Sequence, residues 1–208
     1  MRIIEPSVII ESKITQEEAM SIIEQAGRVC YKSEDKISEG SSEKFIRSIL
    51  KRGHESVIEH VAITVRVICD RGVTHEIVRH RIASYSQEST RYCNYTTEKF
   101  SNELTVIKPL FWENDSERYT IWKECMQNCE KAYFALVYSG ASPQEARSVL
   151  PNSLKTEIIM TMNFREWRHF FSLRCSKAAH PQMQQIANMI LQQFKEKYPL
   201  FVENVVIE

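Results

Sequence analysis

Arg79–Tyr92, RHRIASYSQESTRY, is the stretch densest in chemically useful side chains in this chain of 208 residues. The cations Arg79, His80, Arg81 and Arg91 stand among Ser84, Ser86, Gln87, Ser89 and Thr90. Arginine offers a planar fork of donors to phosphate, and hydroxyls and loop amides complete an anion cradle. A solvated basic helix end followed by a Ser-rich turn has the same composition. Here the cationic start falls on a predicted helix and the hydroxyl-rich part on chain without periodicity, a pairing that favours a binding loop.

Outward from this block the elements follow in order. Upstream, residues 61–69 (VAITVRVIC) are β-branched and apolar, which predicts a strand largely buried on both faces. A helix is predicted from Val73 to Ile82, and Ser84 to Asn102 reads as an irregular loop. Residues 2–10 read as a first strand. Thr15 and Glu18 form a capping-box pattern for a helix whose face is Ala19, Ile22, Ile23 and Ala26. Residues 33–44 read as a polar loop, followed by a short helix with Phe45, Ile46, Ile49 and Leu50, stopped by Gly53.

Downstream, residues 116–139 predict a long helix with Tyr119, Trp122, Cys125, Met126, Cys129, Tyr133 and Leu136 near one stripe, ended by Gly140. Ser142-Pro143-Gln144-Glu145 is a second capping box, with Pro at the first helical position. A strand over 156–163 and helices over 164–174 and 181–196 complete the reading. The sum is an α+β fold, with long helices around a modest, mostly antiparallel sheet. It is read as a single domain over 1–208, with no internal repeat or linker.

Lys plus Arg number 27 and Asp plus Glu number 27, so net charge is zero and an anion must be held by local clusters. Nucleic acid is not expected as a partner. No stretch has the apolar length of a membrane span, and the N-terminus reaches acidic residues too soon for a signal peptide. The six cysteines, 30, 69, 93, 125, 129 and 175, form no CxxC pair and read as reduced thiols of a cytoplasmic protein. Five glycines and the absence of G-x-G-x-x-G leave little scope for a Gly-rich phosphate loop.

Three further groups bear on chemistry. Gly53–His60 holds two His and two Glu, but the spacing matches no zinc motif, so a ligand-contacting His is expected and no metal. Cys125 and Cys129 lie on the apolar stripe of the long helix and read as buried structural thiols. Nothing sets a base beside Cys93, so it is not chosen as a nucleophile. In the last third, Arg147, Asn163, Arg165, His169, Arg174, Lys177 and His180 concentrate donors and cations. On a helix over 164–174, Arg165 and His169 share one face while Trp167 and Phe170 take another.

Arg79-His80-Arg81, seven residues, then Ser89 resembles the signature of the flavin-dependent thymidylate synthases. The flanks agree: Gly53-His54-Glu55-Ser56 upstream, then Arg147-Ser-Val-Leu-Pro151, Asn163-Phe-Arg165 and Leu173-Arg174 downstream. The resemblance spans nearly the whole chain. It implies that family's fold, a homotetramer with FAD where subunits meet, and dUMP, methylenetetrahydrofolate and NADPH as reactants, with dTMP as product. Ser56, Arg79, His80, Arg81, Gln87, Asn163, Arg165 and His169 would hold FAD. Glu76, Arg79, Gln87, Glu88, Ser89, Thr90, Arg91, Arg147 and Arg174 would lie along dUMP. Arg174 would favour ionised uracil, His54 would lie near flavin and folate, and Ser89 completes the candidate catalytic set. No cysteine is required. Three positions depart from the usual pattern: Gln87 lacks a charge, Glu76 stands where many members have Gln, and His169 replaces Asn. They leave a second reading open, a related flavin/folate enzyme acting on another pyrimidine nucleotide or giving a hydroxymethyl product.

Overall fold

A computed structural model describes residues 1–207. The chain forms two compact units. The first comprises residues 1–7, 67–79 and 86–158; the second comprises 8–66, 80–85 and 159–208. The longest strands among the described residues are β3 (Ala62–Asp70) and β6 (Lys155–Asn163). With β2 (Ser7–Ile10) and β4 (Ser84–Gln87) they form an antiparallel sheet in the order β2-β3-β6-β4. A second sheet pairs β1 (Arg2–Ile4) in parallel with β5 (Thr105–Ile107), Ile3 opposite Val106.

In the second unit, α1 (Gln16–Tyr31) starts at the expected capping box: Thr15 Oγ1 accepts from Glu18 N at 3.1 Å, and Glu18 Oε2 accepts from Thr15 N at 2.8 Å. Its buried face is Ala19, Met20, Ile23, Glu24 and Gly27, and Ile22 is exposed. Gly27 is required by close approach, since a Cβ there would meet Phe45 of α2 (Ser41–Lys51) at 2.5 Å. Helix α6 (Phe164–Arg174) buries Phe164, Trp167, Phe170 and Phe171. They pack with Phe194 of α7 (Pro181–Lys197), Tyr198, and Phe201 of α8 (Pro199–Val202). The Phe164 and Phe201 rings stack at 3.9 Å, and Trp167 Nε1 donates to Ile63 O at 3.1 Å. This aromatic core holds α6 against the chain so that its other face carries the polar residues.

In the first unit, α3 (Arg71–Ile77) is capped by Asp70, whose Oδ1 accepts from Val73 N at 2.9 Å. Helix α4 (Glu117–Tyr138) buries Trp122, Met126 and Tyr133, and α5 (Pro143–Ala146) follows. Ser142 N and Oγ both donate to Glu145 Oε2, at 2.8 and 2.6 Å, so the second capping box is also formed.

Several expected boundaries are corrected. The strand over 2–10 is two strands, because Pro6 has no N–H for a ladder and the chain bends there into two different sheets. The helix over 73–82 stops at Ile77, so Arg79, His80 and Arg81 are not helical. Ser84–Gln87 within the expected loop is strand, since sheet pairing overrides its weak local preference. Residues 41–44 of the expected polar loop are the first turn of α2. β3 is fully buried on one face only: Ile63, Val65, Val67 and Cys69 point inward, and Thr64, Arg66 and Ile68 are half-buried. Cys125 is exposed and Cys129 half-buried, because the buried stripe of α4 narrows to Trp122, Met126 and Tyr133.

Candidate active site

The polar face of α6 defines the first part of the site. Asn163 caps the helix, its Oδ1 accepting from Glu166 N at 2.9 Å. Arg165 and His169 are exposed four residues apart, as their spacing predicts. Arg165 Nη1 donates to Glu59 Oε1 at 2.6 Å. Arg168 donates from Nε to Glu55 Oε1 at 3.2 Å and from Nη1 to Phe201 O at 2.8 Å. These residues, with Ile82 and Ser172, line a cavity of about 640 Å³ within the second unit.

Beneath that cavity His80 is 4% exposed. Its Nδ1 lies 2.9 Å from Glu166 Oε1, and its Nε2 accepts from Arg174 Nε at 3.1 Å. Its ring packs against Phe170 at 5.0 Å and His169 at 5.6 Å, and its carbonyl accepts from Tyr85 Oη at 2.7 Å. Burial lowers the His80 pKa below its ordinary value; Glu166 opposes this, and Arg174 and His169 reinforce it. The Tyr85 phenol is pushed up to about 12, chiefly by burial.

His54 is exposed, placed by Gly53 at φ 70° after α2, and its Nδ1 shares a hydrogen bond of 3.0 Å with Tyr31 Oη. Ser56 is exposed in the 3-10 turn Glu55–His60, and Arg81 is also exposed.

The remaining predicted residues lie in the first unit. Gln87 Nε2 donates to Thr74 Oγ1 at 3.1 Å and Thr156 Oγ1 at 3.2 Å, which fixes its amide. Glu88 is gripped on both oxygens, by Tyr95 Oη at 2.8 Å and Lys155 Nζ at 2.7 Å. A turn follows in which Ser89 Oγ accepts from Arg91 N at 3.3 Å and Ser89 O from Cys93 N at 2.9 Å. Thr90 is buried and Glu76 half-buried, while Arg79, Arg91 and Arg147 are exposed cations. All six cysteines are free, and burial pushes the Cys69, Cys93 and Cys175 thiols up, away from the reactive thiolate.

The structure thus joins Glu166, His169 and Arg174 through His80, and gives Gln87 and Glu88 fixed partners. Sequence reasoning missed Glu166, Tyr85, Tyr31, Tyr95 and Lys155. Glu166 had a signal: it is a carboxylate on the apolar face of α6, flanked by Phe164, Trp167 and Phe170, and a buried charge demands a partner.

The second unit holds a cavity lined by both charge signs beside a buried acid–imidazole–guanidinium chain. The first unit, by itself, carries exposed arginines and a hydroxyl-rich turn. The family model described as "Thymidylate synthase complementing protein" matches residues 13–200. A flavin-dependent thymidylate synthase of Pyrococcus furiosus is 37% identical over 178 residues, covering 85% of this chain and 72% of the relative. One from Geobacter sulfurreducens is 38% identical over 181 residues, covering 84% and 76%. A crystal structure of a UMP/dUMP methylase from Streptomyces cacaoi, bound with 5-Br dUMP, superposes with a TM-score of 0.79 at 22% identity, covering 98% of this chain and 96% of that one. The chain belongs to the flavin-dependent thymidylate synthase family and is an enzyme of it.

The cavity lining suits the flavin the family name implies. Its volume lies in the range of small-molecule sites, roughly 300–1,000 Å³. Arg165, exposed and bonded to Glu59 through one nitrogen, has donors left for a phosphate, Glu55 and Glu59 suit sugar hydroxyls, and Ile82 offers apolar surface to a ring. Among the described residues no helix is long and apolar enough to cross a membrane.

Proposed function

We propose that the chain methylates dUMP to dTMP, with methylenetetrahydrofolate as carbon donor and FAD, reduced by NADPH, as hydride carrier. The observation that carries this reading is the full Arg79-His80-Arg81…Ser89 spacing inside a family match over residues 13–200. Bound FAD supplies hydride, which no side chain can. Arg165 and His169 at the cavity, with Ser56, Arg79, Arg81, Gln87 and Asn163, are its proposed holders, and His80 supports them from beneath.

The nucleotide is assigned to Ser89, Thr90, Arg91 and Arg147, with Glu76, Arg79, Gln87 and Glu88 around them. Exposed Arg91 and Arg147 are free to move onto a phosphate, and the Glu88 anchor holds the turn that presents Ser89. Arg174 carries the electrostatic part: a permanent cation beside the pyrimidine stabilises negative charge on the ring and makes its C5 carbon nucleophilic. His54 is assigned to the folate side. No thiol adds to the uracil in this scheme, in keeping with the raised pKa values of the buried cysteines.

The chain is proposed to work in the cytoplasm as a homotetramer. Tyr92 and Ile82, 78% and 69% exposed beside the motif, are apolar surface that a neighbouring subunit would cover. The test is incubation with FAD, NADPH, methylenetetrahydrofolate and dUMP, followed by mass spectrometry of the nucleotide. Gain of one methyl group, dependent on both flavin and folate, is expected. Unchanged or hydroxymethylated nucleotide with a reducible bound flavin would overturn the substrate or product assignment.

A further inference from the structure

We propose that Glu166 and His80 are positioning residues for Arg174: Glu166 holds His80 as the neutral Nδ1–H tautomer, and His80 Nε2 then fixes the guanidinium plane of Arg174. The argument begins with donor inventory. A guanidinium has only donors, so the 3.1 Å contact between Arg174 Nε and His80 Nε2 requires a lone pair on Nε2. The single proton of a neutral imidazole is then on Nδ1, which donates to Glu166 Oε1 at 2.9 Å. The polarity of the whole chain is therefore fixed, from guanidinium through imidazole to carboxylate.

Burial makes the arrangement stiff. The His80 and Glu166 side chains are 2% and 9% exposed. His80 is held at its carbonyl by Tyr85, at its ring by Phe170 and His169, and at both ring nitrogens. Glu166 is fixed by the first turn of α6, with its N–H capped by Asn163. Arg174 closes the last turn of the same helix, where the dipole favours a cation. One rigid helix thus carries both ends of the chain, and His80, 94 residues earlier than Arg174, bridges them.

A metal is the competing use of this cluster, since ligand atoms of His80, Glu166 and His169 lie within 4.8 Å of one another. Both His80 nitrogens are already engaged, and the Arg174 cation shares the same ring, which opposes a second positive charge there. The lowered His80 pKa agrees with a neutral ring.

The consequence for catalysis rests on the proposed place of Arg174 beside the pyrimidine. An arginine preset in one plane loses less freedom when charge develops on the ring, whereas a misplacement of about 1 Å can cost roughly 100-fold in rate. The first test needs no turnover: nitrogen-15 NMR of the histidine rings in the holoenzyme at neutral pH. A neutral Nδ1–H form at His80 is expected; an imidazolium or an Nε2–H form overturns the proposal. The second test compares His80→Phe with His80→Gln in the flavin-loaded enzyme. His80→Phe keeps ring packing but has no acceptor, so kcat per flavin-loaded site should fall about 10- to 100-fold with KM for dUMP kept. His80→Gln, whose amide oxygen can accept from Arg174, should recover most of the loss. Wild-type kcat in His80→Phe, or equal loss in both variants at unchanged melting temperature, overturns the proposal. If the wild-type enzyme makes no dTMP, the functional reading falls, and the NMR result still decides the tautomer. The same wild-type spectrum decides it if a variant fails to fold.

Discussion

Replacing Lys155 by Met tests whether the turn at Ser89 is held by the anchor at Glu88. Methionine keeps the length and apolar stem of lysine and removes only the charge and donors. Lys155 Nζ lies 2.7 Å from Glu88 Oε2, with side chains 21% and 13% exposed. An exposed pair is worth about 0.2–1 kcal/mol, and stripping the partner from a fully buried charge costs about 3–5 kcal/mol. This pair lies between those limits. Tyr95 still donates to the other carboxylate oxygen, so we expect a loss near 2 kcal/mol after solvent screening. For a chain of this size that is about a 4–8 °C fall in melting temperature. Because Glu88 N also donates to Glu157 O at 2.8 Å, the backbone stays paired and the damage should concentrate in the turn that follows. The dUMP KM should therefore rise more than kcat falls. The assay is a double-mutant cycle with Glu88→Gln, read by thermal unfolding and by KM. Coupling of about 1 kcal/mol is expected, and additivity within about 0.3–0.5 kcal/mol would show that the ion pair does not hold the turn.

Two further outcomes follow from the second unit. His80 has a pKa below its unfolded value near 6.5, so the unfolded chain binds the proton more readily. Its contribution is fully present above that pH and is lost as pH falls below it, at up to about 1.4 kcal/mol per pH unit. Melting temperatures of wild type and His80→Phe from pH 5 to 8 should show the excess acid slope only in the wild type; parallel curves would refute the assignment. For Arg174→Ala, flavin content should persist while turnover drops about 10²- to 10³-fold, as for loss of a charge-stabilising donor. Near-normal turnover in single-turnover assays would remove Arg174 from the reaction.

What the sequence by itself determined is local. The capping boxes at Thr15 and Ser142 were legible because the partners lie three residues apart and act before any tertiary contact. The two faces of α6 were legible because 3.6 periodicity separates Arg165 and His169 from Phe164, Trp167 and Phe170. The Arg79-His80-Arg81…Ser89 spacing gave the family, since its meaning is in order and distance along the chain. Tertiary structure alone decided the rest. Ser84–Gln87 is a strand because the sheet supplies its partners, and the helix before it ends at Ile77 so that the chain can reach that sheet. The narrowing of the buried face of α4, which leaves Cys125 in solvent, depends on what packs there and not on its own period. Above all, the contacts among Glu166, His80 and Arg174 join residues 86 and 94 positions apart. Their protonation and geometry come from burial and from one another, which no window of sequence contains.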